Sequence, residues 1–221
     1  MFSKILRPLT DLVRHILSKP DERGDLTSDL FRLKIRRKVR QLINDNNGFL
    51  IDVGCGEGLL CENLLIKQNP LKIVGIDTEH EMLKTANESF QRKKLYSLNF
   101  LRAHAQKLPF LNKSIDIAIC INTFYNFYTK DDVIAALEEM ERVCKKDGFI
   151  IFDVRNKINP FVYLSFKLVW LYDTQVTLNA YSLKELTTVL ISKGLIIKET
   201  IPIGFPITMF APIILVKAGY Q

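Results

Sequence analysis

FLIDVGCGEG, residues 49–58, changes character half-way along. Its first half is an apolar, β-branched run interrupted only by Asp52, and its second half carries three glycines spaced two apart. That reads as a buried strand breaking into a tight turn that opens a helix. Gly54, Gly56 and Gly58 put no Cβ between the backbone and a bound molecule, and they permit positive φ, while the first N–H groups of the following helix face the turn. A plain strand-to-helix turn needs fewer glycines, so the stretch reads as a ligand cradle.

Working outward, KIVGI at residues 72–76 is a second buried strand, and it ends on Asp77. An acidic side chain at the end of the second strand of a βαβ unit can accept hydrogen bonds from both hydroxyls of a ribose, which points to a nucleoside and not merely a phosphate. With the pattern D-x-G-C-G-x-G at 52–58, G-x-D at 75–77 and L-P-F at 108–110, the chain resembles the class I S-adenosylmethionine-dependent methyltransferases of the small-molecule type. The resemblance runs from about residue 49 to residue 148 and more loosely beyond. It implies an α/β, doubly wound, Rossmann-like sheet of seven strands whose last strand is antiparallel, and S-adenosylmethionine as cofactor. The expected cofactor contacts are Asp52, Gly54, Cys55, Gly56, Gly58, Asp77, Thr78, His104, Ala105 and Asn122. Relatives carry Asp at the position of His104, where it accepts a hydrogen bond from the adenine amine; a neutral imidazole can accept the same bond. His104 as a catalytic base, or as an ordinary polar loop residue, stays open.

The chain has 221 residues and a formal charge of +7, consistent with one α/β domain. The excess charge is local: residues 1–40 hold eleven Lys and Arg against five Asp and Glu, leaving twenty against nineteen for the rest. Two segments are expected, a helical arm over 1–44 that packs on or caps the core and a cofactor-binding domain over 45–221. The four cysteines show no C-x-x-C spacing, so neither a zinc site nor a disulfide frame is expected. With no secretory signal pattern and no apolar run of about 18 residues, a cytoplasmic protein is expected. The helix expected over 1–19 is amphipathic and basic, which suits packing on the core or contact with a membrane surface.

Along the chain, the spacing predicts a polar linker over 20–29, a helix over 30–43 with Arg32, Arg36, Arg37 and Arg40 exposed, and helices over 59–67, 78–90, 129–144 and 182–194. Capping boxes are expected at Thr78 with Glu81 and at Ser182 with Glu185, and Thr129 is expected to cap its helix. Lys145 and Lys146 read as the basic end of the 129–144 helix, and Lys146-Asp147-Gly148 (in KKDG, 145–148) as the turn before a strand over 149–154. Strand four, 115–121, is almost wholly apolar and so central, and it delivers Asn122, Phe124, Tyr125 and Tyr128 to the sheet edge where ligands of open α/β sheets bind. These are the acceptor-side candidates, set against a role as roof of the core. An apolar helix over 161–172 reads as a lid, a core helix or a membrane-facing patch.

Methyl transfer to a small, hydrophobic or lipid-like acceptor is the leading expectation, because an activated methyl needs alignment and dryness more than acid–base machinery. A nicotinamide enzyme fits Asp77 but not the glycine spacing. An RNA substrate fits the basic arm, but Asn122-Thr123-Phe124-Tyr125 departs from the N-P-P-Y pattern of base-flipping relatives, so nucleic acid is disfavoured. A non-catalytic cofactor-binding relative is the third alternative.

Overall fold

In a computed structural model of the chain, the described residues are 31–43, 46, 48–67, 71–95, 98–160, 162–164 and 179–221, with the backbone of 19–20 and 26–27. The helix expected over 1–19 and most of the apolar helix expected over 161–172 lie outside them. Within the segment expected as a linker, Lys19–Pro20 and Leu26–Thr27 form a short antiparallel ladder.

Seven strands form one sheet: β1 (Gly48–Val53), β2 (Leu71–Asp77), β3 (Leu98–Arg102), β4 (Ile115–Cys120), β5 (Cys144–Arg155), β6 (Ile196–Ile203) and β7 (Ile213–Gly219). Their order is β3-β2-β1-β4-β5-β7-β6. The first five pair in parallel, and β7 is antiparallel to both β5 and β6. The chain leaves β1 toward β2 and returns to β4 on the other side, so the sheet changes winding direction beside β1, where a crevice opens at the carboxyl ends of the strands.

The alternation of side chains along β1 divides the core. Leu50 faces α1 (Arg32–Ile43) and α2 (Leu59–Lys67), where Ile35, Val39, Ile43, Cys61 and Leu64 are buried. Ile51 and Val53 face the opposite layer, α4 (Lys130–Val143) and α5 (Leu183–Ser192), with Val133, Leu137, Met140 and Leu186. Because both faces are covered, β1 and β4 are apolar on consecutive residues and do not alternate with polar ones. Asp52 is the exception in β1, 2% exposed on the α1 and α2 side.

Three local expectations are corrected. KKDG is not a turn: α4 stops at Val143, Cys144 is already extended and pairs with Ile115, and Lys145 is drawn along the sheet by a 2.6 Å ion pair with Asp116. Asp116 also accepts the Phe49 N–H at 2.8 Å, so it fastens the entry end of the sheet. The box at Thr78 and Glu81 does not form, because α3 (His80–Arg92) has Glu79 at its N-cap and the Glu79 N–H is taken by Asp77. Ser182 sits at an N-cap without a side-chain bond, whereas Thr129 and Asp132 make a full capping box on α4.

Candidate active site

The glycine turn is built as much by its neighbours as by itself. Gly54 stands at φ +76°, and a Cβ there would come within 2.3 Å of the Thr123 side chain, so strands β1 and β4 approach more closely than any other residue allows. Gly56, at φ +53°, is different: a Cβ there would meet nothing within 4 Å and would project into open space. Gly58 is buried under the ring of Phe100 and serves packing; it does not line the cavity. The Gly54 and Cys55 N–H groups donate to the Ile76 carbonyl at 2.7 and 3.0 Å, tying the turn to the end of β2.

Asp77 is fixed by two backbone donors. The Gly56 N–H donates to its Oδ2 at 2.8 Å and the Glu79 N–H to its Oδ1 at 3.0 Å. Each oxygen keeps a lone pair for a further donor, the arrangement a pair of vicinal hydroxyls requires.

These groups open onto one cavity of about 1050 Å³, which Asp52, Gly54, Cys55, Gly56, Asp77, Thr78, His104, Ala105 and Asn122 all line. His104 is exposed and Ala105 buried along this wall of the cavity. On the far side, Tyr125, Phe127 and Tyr128 also line the cavity, Tyr128 at its rim with 80% exposure. Phe124 does not: it is 2% exposed and packs against Phe127 and Phe152 in the core. The aromatic wall is held from behind. Asn179 donates its N–H to the Tyr125 carbonyl at 2.8 Å and its Nδ2 to the Phe127 carbonyl at 2.6 Å, and the Tyr181 hydroxyl donates to Phe127 as well. Burial pushes the Tyr181 phenol up to about 12, so it stays a donor at neutral pH.

Asp52 sits at the deep end. Burial raises its carboxyl from 3.8 to about 7; a hydrogen bond donated by the Cys61 thiol at 3.2 Å opposes this, the charge of Asp77 adds to it, and Arg36 opposes it again. Arg36 corrects the sequence reading, in which it was exposed. It is 6% exposed and, with Arg32, lines the cavity. The signal was in the helix period: residues 32, 36, 39 and 43 fall on one stripe, and Val39 and Ile43 are core.

Residues 51–152 match the family described as "Methyltransferase domain". This segment is similar to the methyltransferase domain family. An uncharacterized protein of Methanocaldococcus jannaschii is 36% identical over 125 residues, covering 57% of this chain and 43% of that one. A protein of Campylobacter jejuni named ubiquinone/menaquinone biosynthesis C-methyltransferase is 31% identical over 126 residues, covering 55% and 50%. The chain therefore spans about half the length of the curated relatives it matches. Among solved structures, a SAM-dependent methyltransferase from Aquifex aeolicus shares the fold with a TM-score of 0.63 at 21% identity, over 86% of this chain and 93% of that one.

S-adenosylmethionine is the cofactor that the resemblance implies, and the geometry fits it. The space beyond Gly56 is what a Cβ would have filled, and Asp77 presents two oriented acceptors beside it. Among the described residues no group of His, Cys, Asp and Glu is arranged to hold a metal, and no helix is long and apolar enough to cross a membrane.

Proposed function

We propose that the protein transfers the methyl group of S-adenosylmethionine to a small apolar acceptor that enters over Tyr125, Phe127 and Tyr128. The observation that carries this reading is the single cavity joining the glycine turn and Asp77 to that aromatic wall. In it, Asp77 takes the ribose hydroxyls, Ala105 and His104 the adenine edge, and Asp52 the ammonium of the amino-acid tail. Arg36 and Arg32 close over that tail from α1. The cofactor supplies an already activated methyl, so the chain's own task is alignment and exclusion of water. Thr123 packs against Gly54 and keeps the turn at a fixed distance from β4, and Asn179 holds Tyr125 and Phe127 in place. Aromatic faces near a sulfonium also favour its positive charge.

An apolar acceptor is supported by the same end of the molecule. The loops after β5 and between β6 and β7 meet beside the carboxyl end of β5, since Arg155 and Ile203 both pair with Ile213. They expose Ile158, Phe205, Ile207 and Met209. Exposed apolar side chains on an end that also holds the cavity suit an acceptor drawn from a lipid surface. A quinone-type ring, the kind named for the Campylobacter jejuni relative, is one acceptor of this class. The test is direct: calorimetry should show S-adenosylhomocysteine binding, and lipid extract incubated with the protein and S-adenosylmethionine should yield an apolar compound heavier by one methyl. Methylation confined to polar metabolites overturns the acceptor class, and absence of S-adenosylhomocysteine binding overturns the whole reading.

A further inference from the structure

Asn122 is the second residue past β4 and stands at φ +57°, in the left-handed region that Asn tolerates better than most side chains. Its backbone N–H donates to Asp153 Oδ1 at 2.6 Å, and its side-chain Oδ1 accepts from Arg155 Nη2, also at 2.6 Å. A guanidinium has only donors, so the amide can be turned one way alone, with its oxygen to Arg155 and its NH₂ away. Nδ2 meets no acceptor among the described residues, and it is not one of the buried side-chain atoms that lack a partner. It is therefore accessible, on a residue that lines the cavity. Arg155 is held in turn: its guanidinium lies 4.7 Å from the Tyr125 ring centre, and its carbonyl accepts the Tyr181 N–H at 3.1 Å.

We infer that the acceptor molecule presents a hydrogen-bond-accepting oxygen, a carbonyl or a deprotonated hydroxyl, to Asn122 Nδ2, and that Arg155 is the positioning residue that sets this polarity. The inference rests on the methyltransferase reading above and narrows it. An amine would bring N–H donors against an N–H donor. Asn122 could serve it only by turning its own NH₂ toward a cation, which leaves two donors facing each other in a partly buried site. The distinction lies in Arg155, thirty-three residues away in the chain, and not in Asn122 alone.

Two neutral bicyclic probes separate the polarities: chromone, which offers a carbonyl oxygen and no N–H or O–H, and indole, which offers an N–H and no oxygen. Calorimetry on the protein saturated with S-adenosylhomocysteine should show chromone bound at least about tenfold more tightly than indole, the scale of one satisfied against one opposed hydrogen bond. Asn122→Asp, which tolerates the same backbone and still accepts from Arg155, should erase or reverse the preference. Arg155→Met, which frees the amide to turn, should narrow it to less than about threefold. Equal or tighter binding of indole, binding of neither probe, or a preference that survives either substitution overturns the inference and leaves the methyltransferase reading standing. A protein that does not bind S-adenosylhomocysteine removes the reading itself.

Discussion

The two halves of the cavity are made of different material. The half proposed for the cofactor is made largely of backbone: the turn at Gly54 to Gly56 and the Ile76 carbonyl, with Asp77 held in place by two peptide N–H groups and Ala105 beside them. The half proposed for the acceptor is made of side chains brought from far apart: Asn122 and Tyr125 follow β4 and meet Arg155 because β4 and β5 are neighbours in the sheet, and Asn179 reaches Tyr125 from the segment before α5. Backbone cannot be altered without altering the fold, whereas side chains can be exchanged one at a time. A construction of this kind keeps one donor molecule and leaves the acceptor free to differ.

The largest expected effect comes from filling the cofactor half. Gly56→Val places side-chain atoms where a Cβ now meets nothing within 4 Å, and asks a β-branched residue to sit at φ +53°. S-adenosylhomocysteine binding should fall below detection by calorimetry. The protein should still fold, since strain of about 1–2 kcal/mol lowers the melting temperature of a chain this size by only about 2–8 °C. A folded variant with near-parental affinity would break the division, because the turn would then not be the cradle.

Asp77→Ala should rank next. It removes the two acceptors aimed at the ribose and also releases the Gly56 and Glu79 N–H groups, so cofactor affinity should drop by roughly 1.5–3 kcal/mol, the scale of hydrogen bonds to a charged group. Chromone affinity, measured on whatever fraction is cofactor-saturated, should stay within about twofold if the halves are independent.

These two positions were legible because their chemistry is local in sequence. Three glycines after an apolar run and an acid at the end of the next strand report backbone geometry directly. Side-chain geometry was not so readable. Arg36 passed for a solvated charge on a helix full of arginines, and only the stripe it shares with Val39 and Ile43 marked it as inward. KKDG carries every residue of a turn, yet the pairing of Cys144 with Ile115 and the ion pair of Lys145 with Asp116 extend it. Thr78 and Glu81 have the spacing of a capping box, but Asp77, already committed to the turn, takes the Glu79 N–H first. The partnership of Asn122 with Arg155 has no sequence signal, because it needs the strand order before the two residues can be placed side by side.

A smaller effect should appear with pH. The Asp52 carboxyl stands near pH 7 in the folded protein against an ordinary 3.8. The stability this group contributes is therefore present below its ordinary value and lost as pH rises through about 7. For the cofactor the sign is opposite: an ammonium arriving at Asp52 favours the ionised form, so binding releases a proton below pH 7. S-adenosylhomocysteine affinity should rise by up to about tenfold from pH 6 to pH 8 and then level off. Asp52→Asn should flatten this dependence, and buffers of different ionisation enthalpy should show the released proton in the parent alone. A flat parental profile would remove Asp52 from the cofactor half.

The smallest effect is expected at His104, where the two halves come closest to being confused. Its side chain lines the cavity but is exposed, so any hydrogen bond it makes to the adenine edge competes with water. Such a bond contributes about 0.5–1 kcal/mol, and His104→Ala should weaken S-adenosylhomocysteine by no more than about fivefold. The buried backbone of Ala105 continues to shape that wall in the variant. His104→Asp, which restores the residue the resembled family carries there, should recover or exceed the parental affinity. The turnover number with a saturating acceptor separates this from a base: an adenine contact leaves it unchanged, whereas a general base would lower it by roughly 100-fold or more with cofactor affinity intact. A result of the second kind would move His104 across to the acceptor half and end the division between backbone and side chain at that point.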